Sequence, residues 1–152
     1  MKQNDSYYMK LALEETANAL ERNEVPIGCV IVKDDVIIGR GYNTRETAKT
    51  ALGHAELMAI DEACNTLGGW RLFGCTLYVT LEPCPMCMGA IINSRIDNVV
   101  FGAYDKKAGC CGSIIHLAEC GFNHRPKITG GVMEEECSQV ISDFFKKLRL
   151  QK

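Results

Sequence analysis

Two short fragments of this 152-residue chain hold residue types that do chemistry together: Gly53-His54-Ala55-Glu56, and Thr80-Leu81-Glu82-Pro83-Cys84-Pro85-Met86-Cys87. Between them they offer one imidazole and two thiolates. That donor set suits zinc, which takes nitrogen and sulfur ligands in tetrahedral geometry; a catalytic zinc keeps three protein ligands and an open fourth position, whereas a structural zinc is closed by four. Cys84 and Cys87 are three residues apart, so at the start of a helix both sulfurs face one point, and the positive helix end favours the thiolate a metal needs. Glu56 stands two residues from a ligand without being one. Two thiolates cancel the dication's charge, so a separate carboxylate is needed to carry protons, and Glu56 is the candidate. Taken singly, each piece has a plainer reading: a Cys-x-x-Cys is also half of a zinc knuckle or a redox pair, and a lone histidine is ordinarily a surface or core residue. A closed structural site needs a fourth ligand, for which His116, His124, Cys110 and Cys111 are the candidates that folding could supply. A redox pair gives no reason for the His-x-Glu.

The elements that must position these groups are legible in the hydrophobic pattern. Apolar residues at helical spacing from Tyr7 to Leu20, after Asp5 or Ser6 as a cap, predict a first helix. Val25 to Val32 and Val36 to Ile38 read as two strands joined by a tight turn at Lys33-Asp34-Asp35. Tyr42 to Leu52 is polar and without period. His54 to Leu67 is helical again, with Leu57, Ile60, Ala63 and Cys64 on one stripe, and ends at Gly68-Gly69. Thr76 to Leu81 predicts a strand, Pro85 to Asn93 a short helix and Asn98 to Gly102 another strand, so a parallel crossover delivers the cysteines to the histidine. The stretch from Tyr104 to Gly131 is the least legible, with Gly109 to Gly112 loop-like and Ser113 to Glu119 suited to one short helix. Met133 to Leu150 predicts a last helix with an apolar stripe of Cys137, Val140, Ile141, Phe144, Phe145 and Leu148. The alternation points to an α/β fold, a three-layer α/β/α sandwich around a mixed central sheet, in a single domain over residues 1–152.

Composition narrows the setting. The length and the 47% hydrophobic content support one sizeable core. No run of eighteen apolar residues and no basic start leading into an apolar stretch occur, so neither a membrane span nor a secretory signal is expected and the expected location is cytoplasmic. Nine cysteines scattered through an ordinary hydrophobic pattern fit buried thiols and metal ligands in a reducing compartment. A net charge of -2 weighs mildly against a nucleic-acid partner. Local basic clusters remain at Lys146, Lys147, Arg149 and Lys152, and at Arg125 and Lys127; a solvated helix face and loop is the plainer reading of both.

A His-x-Glu paired with Pro-Cys-x-x-Cys is the recognised signature of zinc deaminases. The chain resembles, over nearly its whole length, the bacterial tRNA-specific adenosine deaminases. The pieces that carry the resemblance are Asn23-Glu24-Val25-Pro26-Ile27-Gly28, Gly41-Tyr42-Asn43, His54-Ala55-Glu56, Leu77 to Cys84, Val99 to Ala103, Asn123-His124-Arg125 and Ser142-Asp143-Phe144-Phe145. The resemblance implies a cytidine deaminase-like fold and one Zn2+ per subunit held by His54, Cys84 and Cys87, with Glu56 as proton shuttle. It further implies hydrolytic deamination of adenosine to inosine at the wobble position of a tRNA anticodon stem-loop, by a homodimer. Asn43 matches a pocket asparagine that hydrogen-bonds the purine, while Asp105 and the pair Phe144-Phe145 match positions near the extruded loop nucleotides. Helix packing on the core is the plainer role for Phe144 and Phe145. Ala51-Leu52-Gly53 departs from the Pro-Thr-Ala of many members, which puts the pocket wall and the helix start in question.

Two other readings stay open at this level. A deaminase of a free base, guanine or cytosine, would use the same metal residues with another pocket. A zinc-binding module without catalysis would close the site with a fourth ligand and leave Glu56 idle. A riboflavin-pathway deaminase fits less well, because the chain has no room for an attached reductase domain.

Overall fold

In the computed structural model, which describes residues 3–151, the first helix, α1, runs Asp5–Glu21. Its cap is Asn4, whose side-chain oxygen accepts from the Tyr7 backbone N–H at 2.9 Å. Neither Asp5 nor Ser6 caps it: Asp5 lies in the first turn, where its charge suits the helix dipole, and its carboxylate accepts from the Tyr78 hydroxyl instead.

A hairpin follows, β1 (Gly28–Lys33) and β2 (Val36–Tyr42). Its turn residues Asp34 and Asp35 both have left-handed backbone, with φ of 50° and 60°, a conformation that aspartate tolerates and that matches the strand twist. β2 runs four residues beyond Ile38, the expected end. Gly39 and Gly41 hide its second half from a propensity reading, and the reason is tertiary. A β-carbon on Gly39 would stand 2.2 Å from the Ala59 carbonyl oxygen and one on Gly41 2.0 Å from that of Ala55, so the helix α2 (Ala55–Leu67) lies directly on the strand backbone. Gly68, with φ of 72°, ends α2 as expected.

The rest alternates: β3 (Cys75–Leu81), α3 (Pro85–Asn93), β4 (Asn98–Ala103), β5 (Lys127–Thr129) and α4 (Glu134–Leu150). Two features of the least legible stretch differ from expectation. Only Leu117–Glu119 forms a turn of 3-10 helix where the sequence predicts one short helix over Ser113 to Glu119, because the chain before it folds back on itself: Cys111 bridges His116, the Gly112 N–H donates to the Ile115 carbonyl and the Leu117 N–H to the Cys110 carbonyl. The three-residue β5 is too short to leave a periodic signal, and it exists because β4 offers it a parallel edge.

The sheet order is β2-β1-β3-β4-β5, antiparallel on the hairpin side and parallel from β3 to β5. Alternate residues of its strands serve two cores. Cys29, Ile31, Leu77, Val79, Val99 and Phe101 pack with Ala59, Ala63, Met88 and Ile91 of α2 and α3. Val30, Val32, Tyr78 and Val100 pack with Tyr8, Met9 and Ala12 of α1 and Cys137 of α4. This is the three-layer α/β/α sandwich with a mixed sheet. α4 departs from its expected role, since Cys137 is its one buried residue while Phe145 and Leu148 of the same stripe are 39% and 41% exposed. No helix among the described residues is long and apolar enough to cross a membrane.

Candidate active site

β3 and α2 deliver the chemical groups to one place. His54 caps α2 and Cys84 caps α3, both with extended backbone, so two helix N-termini converge there. Pro85 occupies the first turn of α3, where its fixed φ suits the helix and its missing N–H is not needed. Cys87, one turn in, points to the same spot: its Sγ lies 3.3 Å from His54 Nδ1, and Cys84 Sγ lies 3.6 Å from that nitrogen. The three ligand atoms fall within 4.8 Å of one another. Tetrahedral zinc with sulfur at about 2.3 Å and nitrogen at about 2.0–2.1 Å requires a sulfur-to-nitrogen separation of about 3.6 Å, so the donor spacing fits that ion.

No fourth His, Cys, Asp or Glu joins this group among the described residues. Cys111 is buried against Met88 Sδ at 3.7 Å, and His124 faces the Ile96 carbonyl. His116 stands instead in a separate surface cleft with Arg125 and Lys127. The cluster is an open three-ligand arrangement.

The charge states suit a metal. A hydrogen bond from Cys87 lowers the Cys84 thiol to about 4 against its own burial, with His54 helping, while the shared proton holds Cys87 well above its ordinary value. The hydrogen bond with Cys84 raises His54; burial and the Arg45 charge oppose that. Glu56, in the first turn of α2, is 4% exposed, and burial pushes its carboxyl up to about 7.

These groups open into a cavity of about 220 Å³ whose walls include Val25, Ile27, Asn43, Arg45, Leu81, Asp105 and Ala108. Asn43 is buried in that wall; its Nδ2 donates to the Val25 carbonyl at 3.2 Å and its Oδ1 accepts from the Arg45 N–H at 3.1 Å. Asp105 also lines the cavity, with Oδ1 accepting from the Lys107 and Ala108 backbone at 3.0 and 3.2 Å. Phe145 is not among the lining residues; it is exposed on α4, in edge contact with Phe144.

Two buried carboxylates and one exposed cation went unassigned from sequence. Glu24 accepts the backbone N–H groups of Glu46 and Thr47 at 3.1 and 2.6 Å, which fastens the loop that carries Asn43. Glu82 accepts from Asp105, Cys111 and Ser113 backbone N–H groups at 3.0, 2.9 and 3.1 Å, which fastens the opposite wall. The available signal was a charged residue beside an apolar strand run in each case. The cation, Arg45, had none.

Residues 2–103 match the family model for the cytidine and deoxycytidylate deaminase zinc-binding region. A tRNA-specific adenosine deaminase of Bacillus subtilis (strain 168) is 53% identical over 149 residues, covering 97% of this chain and 92% of the relative. Among solved structures, one from biochemical and structural studies of A-to-I editing by tRNA:A34 deaminases at the wobble position superposes with a TM-score of 0.84 at 40% identity, over 89% of this chain and 99% of that one. A guanine deaminase from Bacillus subtilis superposes with a TM-score of 0.63 at 38% identity, over 67% of this chain and 66% of its own.

Proposed function

This chain belongs to the cytidine and deoxycytidylate deaminase family, and from that premise we propose that it hydrolyses adenosine to inosine at the wobble position of a tRNA anticodon. The reach of the likeness carries the choice of substrate. Among superposed structures, the one from the tRNA:A34 deaminase studies covers 89% of the chain at a TM-score of 0.84 and the guanine deaminase of Bacillus subtilis 67% at 0.63, and the tRNA-specific adenosine deaminase of Bacillus subtilis is 53% identical over 97% of the chain.

His54, Cys84 and Cys87 would hold one zinc per subunit, which would supply Lewis-acid activation of water. Glu56 does the proton work. It accepts one proton as water adds to the amidine carbon of adenine and passes it to the adjacent ring nitrogen, then takes the second proton from the hydroxyl so added and passes it to the departing amino group, so that adenosine and water become inosine and ammonia. Burial favours the protonated carboxyl and its own backbone N–H opposes that, with the Cys84 charge adding to burial and His54 and a hydrogen bond from Cys87 working against it, so that at about 7 Glu56 both accepts and gives up a proton near neutral pH.

Asn43 retains one amide N–H and a carbonyl lone pair beyond its two backbone bonds, enough to hold a purine edge. The Oδ2 of Asp105 is free to accept from a neighbouring nucleotide. Phe145, already exposed on α4, offers a face on which a loop base can stack. An anticodon-loop adenosine is unstacked at lower cost than a paired one, which suits a pocket of this size.

The nine free thiols support a reducing, cytoplasmic setting. The exposed apolar residues of α4 and of the loops, Leu52 and Ile114 among them, support a homodimer. We read the whole chain as one domain that serves this reaction.

The test is to incubate the protein with an anticodon stem-loop carrying adenosine at the wobble position and to identify nucleosides after digestion. Inosine at that position is the expected product. Ammonia from guanine or cytosine, with none from the stem-loop, would move the chain to free-base chemistry.

A further inference from the structure

Arg45 is the one lysine or arginine among the residues lining the catalytic cavity, whose walls otherwise bring the carboxylates of Glu56, Glu82 and Asp105. Its side chain is exposed, and its guanidinium meets no carboxylate, hydrogen-bond acceptor or aromatic ring among the described residues. A polyanion approaching an acidic pocket in a chain of net charge -2 meets repulsion, and this is where it meets an opposing charge.

The side chain is free but its backbone is held. The Arg45 N–H donates to Asn43 Oδ1 at 3.1 Å, and its carbonyl accepts from the Thr50 N–H at 3.2 Å. The next two N–H groups, of Glu46 and Thr47, go to the buried Glu24 carboxylate. Behind it, a β-carbon on Gly53 would come within 2.9 Å of the Arg45 Cα and N, so the residue just before His54 seats the Arg45 backbone by having no side chain. Of the Ala51-Leu52-Gly53 sequence, this gives Gly53 a physical reason; nothing in the structure accounts for Ala51 or Leu52. The held backbone spares the cost of ordering the loop when an anion binds, and the unspent guanidinium matches phosphate geometry with paired donors.

Resting on the reading of the substrate above, we propose that Arg45 binds a backbone phosphodiester of the RNA strand beside the target adenosine. A base seated at His54, Cys84 and Cys87 carries its ribose and phosphates out through the mouth of the cavity. Arg45 thereby favours a nucleotide within a strand over a free base, which has no phosphate to offer.

The experiment is steady-state deamination of the anticodon stem-loop by wild type, Arg45→Ala and Arg45→Lys across a range of salt concentrations, with zinc content measured for each. Nothing in the fold uses the guanidinium, so Arg45→Ala is expected to fold and to hold zinc as wild type does. Its KM is expected to rise by about tenfold with the loss in KM rather than kcat, and its plot of log kcat/KM against log salt to be shallower by about 0.7, the contribution of one single-strand phosphate. Arg45→Lys should keep the slope and recover part of the KM. An unchanged slope and KM in Arg45→Ala, or a loss confined to kcat, would overturn the phosphate role while leaving the tRNA reading intact. A wild-type protein with no activity on the stem-loop would overturn that reading and the phosphate role with it.

Discussion

At the scale of single residues the proposed chemistry rests on a carboxyl that is buried beside metal ligands and spared from ligation. Glu56→Gln keeps the size of the side chain and removes the proton carrier, so deamination should fall by about 10²–10⁴-fold while bound zinc stays near one per chain; activity close to wild type would end the mechanism. Glu24 and Glu82 have a different task. Burial pushes each carboxyl up, but backbone and hydroxyl donors, from Thr47 and Glu46 for one and from Ser113, Asp105 and Cys111 for the other, outweigh it and hold both below the ordinary 4.5. A folded value below the unfolded one means stability that is present above pH 4.5 and lost as pH falls through the lowered value. Glu24→Gln cannot titrate, so the stability gap between wild type and this variant should shrink as denaturation is repeated at falling pH; a constant gap would show that the charge contributes nothing.

At the scale of elements the metal centre depends on how closely α2 lies on β2. The missing side chain at Gly41 leaves room for the Ala55 carbonyl, one residue after His54. Gly41→Ala should force the start of α2 outward, costing about 1–3 kcal/mol of stability by overpacking and weakening zinc retention. Chemical denaturation and a chelator competition measure the two effects, and a variant with wild-type zinc affinity would mean that α2 can shift without carrying His54 away. β3 and α3 make the complementary delivery. The strand ends at Leu81, and two prolines flank Cys84, so the chain reaches the metal ligands in extended geometry before the helix begins.

At the scale of the whole molecule, two helix N-termini, one strand end and two loops meet at a single point, and an ion there ties α2 to α3. Removing zinc should therefore lower the melting temperature as well as abolish activity, because a ligand that binds only the folded state stabilises it by mass action. A melting temperature unaffected by chelation would mean that the ligand cluster is held by packing alone. The exposed stripe on α4 has its consequence at this scale too. Phe145 and Leu148 lie outside both cores, so α4 is attached chiefly through Cys137 and keeps an apolar face for whatever binds over it. Sedimentation should give twice the chain mass if the homodimer reading holds.

Spacing made His54, Cys84 and Cys87 candidate ligands, because His-x-Glu and Cys-x-x-Cys are local patterns and helix geometry converts such separations into a shared direction, whereas only folding decided that no fourth His, Cys, Asp or Glu joins them among the described residues. The hydrophobic periods likewise determined the helices, the central strands and the layered sandwich. What only tertiary structure decided depends on distant backbone. The second half of β2 is hidden because its glycines answer to α2, and the helical stretch shrinks to Leu117–Glu119 because Cys111 pairs across a tight turn with His116. Burial of Glu24 and exposure of α4 have the same origin. A charged residue in a sequence carries no mark of the N–H groups that will satisfy it, and an apolar stripe carries no mark of whether the sheet extends far enough to cover it.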